Sequence, residues 1–186
     1  MSDERKSVRG RPRTDARERI LDAAAMLLAK RGAEVSTEEI ADAAGVARRT
    51  VFNYFPARED LLRACLDPIL EDGIAIAEDL LARGGRGSAA LGELCGELLR
   101  RQGDRIGLLG AVDFAGSAGV EALHRRYIER FRELAGEEVD ASTLYAVYRC
   151  FAPLSSVVAG EADGPERFGA AMRGLVEGML KGRRRR

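Results

Sequence analysis

The stretch that most constrains the fold is Ser36–Leu61, STEEIADAAGVARRTVFNYFPAREDL. Ser36 followed three residues later by Glu39 is the signature of a capping box. The Ser hydroxyl accepts from a free backbone N–H of the first turn, and the Glu carboxylate reaches back to the cap. Ile40, Ala41 and Ala44 recur at helical spacing and mark an inward face. Gly45 sits where the chain must turn left-handed, which costs a residue without a Cβ nothing. Val46 plugs the turn. A second helix is expected over Ala47–Phe55, halted by Pro56, which can neither donate nor continue a helix. In that helix Ala47, Val51 and Phe55 fall on the inward face. Arg48 with Phe52, and Arg49 with Asn53, are pairs four apart on the outward one.

Two helices joined by a tight turn, with small residues at the crossing, form a helix-turn-helix. The second helix holds two arginines and an asparagine away from an apolar base. That arrangement suits entry into a DNA major groove, where Arg pairs with guanine O6/N7 and Asn with adenine N6/N7. Arg48, Arg49 and Asn53 are therefore the candidates for base contacts.

The residues Thr37, Ile40-Ala41, Ala44-Gly45-Val46, Thr50, Phe52, Tyr54-Phe55-Pro56, Arg58-Glu59 and Leu61 stand in one register. Arg19-Ile20-Leu21, Ala23-Ala24, Leu27 and Gly32 precede them at fixed spacing. Together they resemble the DNA-binding region of the TetR family of bacterial repressors, over residues 14–62. The resemblance implies phosphate contacts from Thr37, Thr50, Tyr54 and Arg58. Phe52 departs from the tyrosine common at its position and loses a hydroxyl contact, so its ring is expected on a thymine methyl or a sugar. Arg58 stands in for a common lysine. Glu38 would repel phosphate unless it reads a cytosine amino group or turns away.

Charge is distributed unevenly along a chain whose formal total is zero. Arg5, Lys6, Arg9, Arg11 and Arg13 crowd one end, and Lys181 with Arg183–Arg186 the other. Between Leu61 and Leu180 stand 13 basic against 19 acidic residues, a net of −6. A neutral total thus leaves nucleic-acid binding open. Residues 1–13 are expected to be a disordered basic arm. In it Arg9, Arg11 and Arg13 follow phosphates or enter a narrow minor groove.

The remaining pattern is helical throughout, which makes the chain all-α. About nine helices are expected: a three-helix DNA-binding domain over 14–60, a helical ligand-binding and dimerisation domain over 61–182, and a basic tail at 183–186. Thr14 or Asp15 is expected to cap the first helix. The fourth starts near Ala57 and contains Pro68, where a kink is expected. The loop Arg83–Ser88 ends it. Later helices are expected at 88–102, 104–115, 119–135, 142–159 and 165–181. The resemblance places a homodimer interface on the last two, where Ala152, Ser155, Ser156, Ala159, Gly169, Ala170, Gly174 and Gly178 permit close approach.

It also implies a small-molecule effector bound among helices four to eight, for which Asp113, Phe114, Tyr127, Phe131, Tyr145, Tyr148 and Arg149 are candidates. His124, beside Arg125 and Arg126, is expected on the surface. Cys65, Cys95 and Cys150 lack metal-type spacing and read as reduced thiols of a cytoplasmic protein. One histidine, no nucleophile elbow, no phosphate loop and no dinucleotide fingerprint argue against an enzyme. No cofactor, metal or membrane span is expected. The function implied is a homodimeric repressor that binds operator DNA and is released by a small ligand. The alternative is a DNA-binding regulator without an effector, its C-terminal part serving dimerisation or a protein partner.

Overall fold

The computed structural model describes residues 13–111, 121–137, 139–158 and 160–183. Among the described residues there are ten α-helices, two short 3-10 turns and no strand. Helix α1 (Arg13–Arg31), α2 (Thr37–Ala44) and α3 (Arg48–Tyr54) form one end. Helix α1 begins at Arg13, so Thr14 and Asp15 lie in its first turn rather than capping it. Arg13 likewise belongs to a helix and not to an extended arm, while Arg9 and Arg11 fall outside the described residues. Of the apolar stripe Ile20, Ala24, Leu27 and Leu28 on α1, Leu27 is half-buried and the other three are buried.

Helix α4 (Arg58–Ala82) is the longest element and runs from the N-terminal unit into the rest. At 1.5 Å per residue it spans about 37 Å. It is assigned as one helix through Pro68. Its apolar side (Leu61, Cys65, Leu66, Ile69, Leu70, Ile74, Ala77) is buried. Two of its acidic residues are bonded by side chains from the neighbouring α5 (Gly87–Gln102) and α7 (Glu121–Ala135). Asp72 accepts from Gln102 Nε2 at 2.6 Å and from Arg101 at 3.4 Å, and Glu78 from Arg126 at 3.1 Å and Arg130 at 3.3 Å.

Of the helix expected over 104–115, the first part is a 3-10 turn, Gly103–Ile106, followed by α6 (Gly107–Ala111), and residues 112–115 lie outside the described residues. The long helix expected over 142–159 is divided into α8 (Ala141–Arg149) and α9 (Phe151–Val158). Pro153 explains the division: it has no N–H for the carbonyl of Arg149 four residues back, and its ring crowds that carbonyl. Asp140 caps α8 by accepting from Thr143 N at 2.9 Å.

Helix α10 (Gly164–Arg183) closes the bundle against α5. The two backbones nearly touch: a Cβ on Gly169 would lie 2.5 Å from Gly92 O, and one on Gly96 2.7 Å from Pro165 O. A single cluster of buried side chains runs from Ile20 to Val176.

Candidate nucleic-acid interface

Helix α2 starts as its sequence dictates. Ser36 Oγ accepts from Glu39 N at 3.2 Å, and Ser36 N donates to Glu39 Oε2 at 2.8 Å. Arg31 adds a 2.5 Å bond to Glu39 Oε1. The Ser36 backbone N–H, the Arg31 guanidinium and the Ser36 hydroxyl, in that order, bring the Glu39 carboxyl from its ordinary 4.5 down to about 2. Gly45 ends the helix at φ +63°, and Val46 N closes the turn on Ala41 O at 3.0 Å.

Helix α3 rests on Val51 and Phe55, both buried. Ala47, expected to join them, is exposed, because it caps the helix with extended backbone (φ −70°, ψ 145°) and lies outside its periodicity. Arg48, Arg49 and Asn53 are all exposed. Thr37 and Thr50, at the starts of α2 and α3, are half-buried, as are Tyr54 at the end of α3 and Arg58 at the start of α4. Glu38 is exposed in the first turn of α2.

Three arginines support this unit from behind, and two of them carried no assignment from the sequence. Arg19 of α1 donates to Ala44 O at 2.8 Å and Gly45 O at 3.3 Å, so it grips the turn between α2 and α3. Arg17 places its guanidinium 5.5 Å from the centroid of the Phe55 ring. Arg58, expected on phosphate, donates through Nη1 to Val35 O at 2.7 Å, ahead of α2. No local pattern signals these contacts, because each joins positions separated by more than twenty residues.

The effector candidates are divided by the structure. Asp113 and Phe114 lie outside the described residues. Tyr127 and Phe131 are buried, and Tyr148 lies beside Tyr127 with ring centroids 6.4 Å apart. Phe151 and Phe168 extend the same file of rings at 6.0 and 5.6 Å. The Tyr127 hydroxyl finds no hydrogen-bond partner among the described residues, and burial pushes its pKa well up. Tyr145, by contrast, is 66% exposed, and Arg149 is exposed with Nη1 on Gly110 O at 2.8 Å. His124 is half-buried, edge-on to Tyr148 at 5.8 Å, rather than on the surface. Its pKa is lowered by loss of hydration. Cys65 and Cys95 are buried and Cys150 half-buried, all as free thiols. Burial pushes the Cys65 thiol up to about 12, far from the thiolate a redox role requires.

No helix among the described residues is long and apolar enough to cross a membrane. Residues 20–65 match the family model for bacterial regulatory proteins, tetR family. The HTH-type transcriptional regulator EthR of Mycolicibacterium smegmatis is 38% identical over 63 residues, which are 33% of this chain and 29% of that protein. The chain thus spans under a third of the curated relative it matches. The crystal structure of Mycobacterium smegmatis AmtR superposes with a TM-score of 0.57 at 22% identity, over 94% of this chain and 89% of that one. The TetR-like transcriptional regulator LfrR from Mycobacterium smegmatis, solved in complex with proflavine, gives 0.51 at 26% identity over 88% and 95%. The helix-turn-helix matches in sequence, and the helices behind it follow the same fold over nearly the whole length. Over residues 20–65 the chain is thus similar to the bacterial regulatory proteins of the tetR family.

Proposed function

We propose that the protein is a sequence-specific transcriptional repressor that binds operator DNA as a homodimer and is released by a small molecule. One observation carries the DNA reading: α3 stands on two buried side chains and holds Arg48, Arg49 and Asn53 exposed on its other side. A single such helix reads few bases, so two copies reading two half-sites supply affinity and length of site. On α10, Gly174 and Gly178 have open space where a Cβ would stand, which leaves that face available to a second copy. Repression then follows from occlusion of polymerase.

The test is selection of bound sequences from a randomised duplex library, followed by titration of the winner against a scrambled duplex at several salt concentrations. A twofold-symmetric winner and a steep salt dependence are expected. Indifference to sequence at low salt excludes the proposal.

Release by a ligand is supported by the Tyr127 hydroxyl, which is buried among aromatic rings and has no hydrogen-bond partner among the described residues. A coupling of about 1–3 kcal/mol would change operator affinity about 5–150-fold. The second reading, a regulator without an effector, is favoured by the ring file itself. Its centroids stand 5.6–6.4 Å apart, which is ordinary packing contact. A compound that binds the purified protein and weakens the operator complex supports the first reading. One that binds and leaves operator affinity unchanged is no inducer.

A further inference from the structure

We propose that Phe52 is a positioning residue for Arg48. Its exposed ring holds the Arg48 guanidinium ready for a guanine edge, and the ring is not itself the group that reads DNA. The inference rests on the DNA reading above and names how one of its contacts is made specific.

The guanidinium carbon of Arg48 lies 5.4 Å from the centroid of the Phe52 ring. That is within the range of a cation–π contact, and residues four apart on a helix are placed for it. Phe52 is 43% exposed and one of four large apolar side chains at the surface of the described residues. Nothing in the core accounts for it, since Val51 and Phe55 support α3 from the other side. The Arg48 guanidinium, also exposed, makes its one described contact with this ring.

A free arginine side chain samples many rotamers, and fixing one of them on binding costs entropy. A planar fork already held in place loses less per hydrogen bond formed. Phe52 has no hydroxyl, so it offers DNA no polar atom. Its π face is engaged by the cation before DNA arrives. Arg49, whose i+4 neighbour is Asn53, has no such ring, so the two adjacent arginines differ in freedom. Arg48 is therefore assigned the sharper base preference.

The experiment uses the full chain and the duplex that the wild-type protein selects from a randomised library. Arg48→Ala first locates the base pair whose preference it relaxes. Discrimination at that base pair is then measured for Phe52→Leu, Phe52→Tyr and the double variant Arg48→Ala/Phe52→Leu. Phe52→Leu is expected to reduce discrimination about two- to fivefold, the range of an exposed cation–π contact. Phe52→Tyr keeps the ring and is expected to retain it. In the Arg48→Ala background Phe52→Leu is expected to have little further effect.

A DNA-independent readout accompanies these. In the free protein the Arg48 side-chain protons are expected upfield by ring current, and this shift is expected to vanish in Phe52→Leu. Equal losses from Phe52→Leu with and without Arg48 would overturn the inference, since the ring would then touch DNA itself. So would unchanged discrimination in Phe52→Leu. If the wild-type protein selects no sequence while the ring-current shift is present, the DNA reading fails and the intramolecular contact stands.

Discussion

Tyr127 of α7 lays its ring so closely over Gly73 of α4 that a Cβ there would stand 2.4 Å from Tyr127 Cε2. The helix that leaves the DNA-binding unit is thereby keyed to the aromatic file of the C-terminal part. Neither partner has room to move, because Tyr127 is 1% exposed.

Gly73→Ala is expected to destabilise the protein in spite of the higher helix propensity of alanine. The propensity gain is about 1 kcal/mol, and overpacking costs about 1–3 kcal/mol. Denaturant titration of Gly73→Ala, Tyr127→Leu and the double variant checks the cause. The double variant should be more stable than the sum of the single effects, by the clash that it relieves.

The glycines of α10 have opposite duties. Gly169→Ala is expected to cost about 1–3 kcal/mol, since its Cβ would meet the Gly92 carbonyl across the α5–α10 contact. Gly174→Ala meets nothing within 4 Å and is expected to add about 1 kcal/mol of helix propensity to the monomer. Gly178→Glu should leave the fold intact and dissociate the proposed dimer. Sedimentation velocity beside thermal melting separates these effects, and a Gly178→Glu variant that sediments like the wild-type dimer refutes the interface.

Arg19→Met removes the donor that grips the turn between α2 and α3 at Ala44 O and Gly45 O. A charged donor to a backbone carbonyl contributes about 1–3 kcal/mol. The expected result is faster amide exchange through α2 and α3, with α5 and α10 unchanged. Uniform exchange across the chain would show that Arg19 supports the whole fold.

Glu39 ties stability to acid. Its pKa in the folded protein is about 2 against an ordinary 4.5, so the bonded carboxylate favours the fold above pH 4.5. That contribution is lost as pH falls from 4.5 through about 2. Glu39→Gln, which keeps the shape and loses the charge, should flatten the fall in melting temperature across this window. Parallel curves for the two proteins would remove Glu39 as the cause.

Arg58 has a structural bond to Val35 O and an expected contact with phosphate. Arg58→Ala is expected to weaken all duplexes alike and to lower the salt slope by about one unit. A loss of affinity with an unchanged slope would assign Arg58 to the loop before α2 alone.

Elements whose cues are local were legible in the sequence. Ser36, Glu39 and Gly45 place both ends of α2 between its N-cap and C-cap, and Pro56 stops α3 from one position beyond its C-cap Phe55. The apolar repeat of α4 is long enough to read through Pro68. What was missed depends on partners far along the chain or on a single breaker. Arg19 reaches its carbonyls across 25 residues, and nothing about an arginine on a helix announces which way it points. Pro153 divides a helix whose apolar stripe continues unbroken from Leu144 to Val158, so periodicity concealed the break. The charged neighbours Arg125 and Arg126 suggest a surface position for His124, yet α7 carries it against Tyr148. Tyr145 and Tyr148 looked equivalent as pocket candidates. Three residues apart on a nine-residue helix, one is in the ring file and the other in solvent.

The chain has four tyrosines and no tryptophan, so phenol emission is undiluted by indole. Tyr54 sits at the end of α3, Tyr127 over Gly73, Tyr148 in the ring file and Tyr145 in solvent. The unlabelled protein therefore holds native fluorophores in distinct settings, with Tyr127 and Tyr148 adjacent at 6.4 Å. Aqueous iodide quenches Tyr145 first, and light from Tyr127 survives until the interior opens.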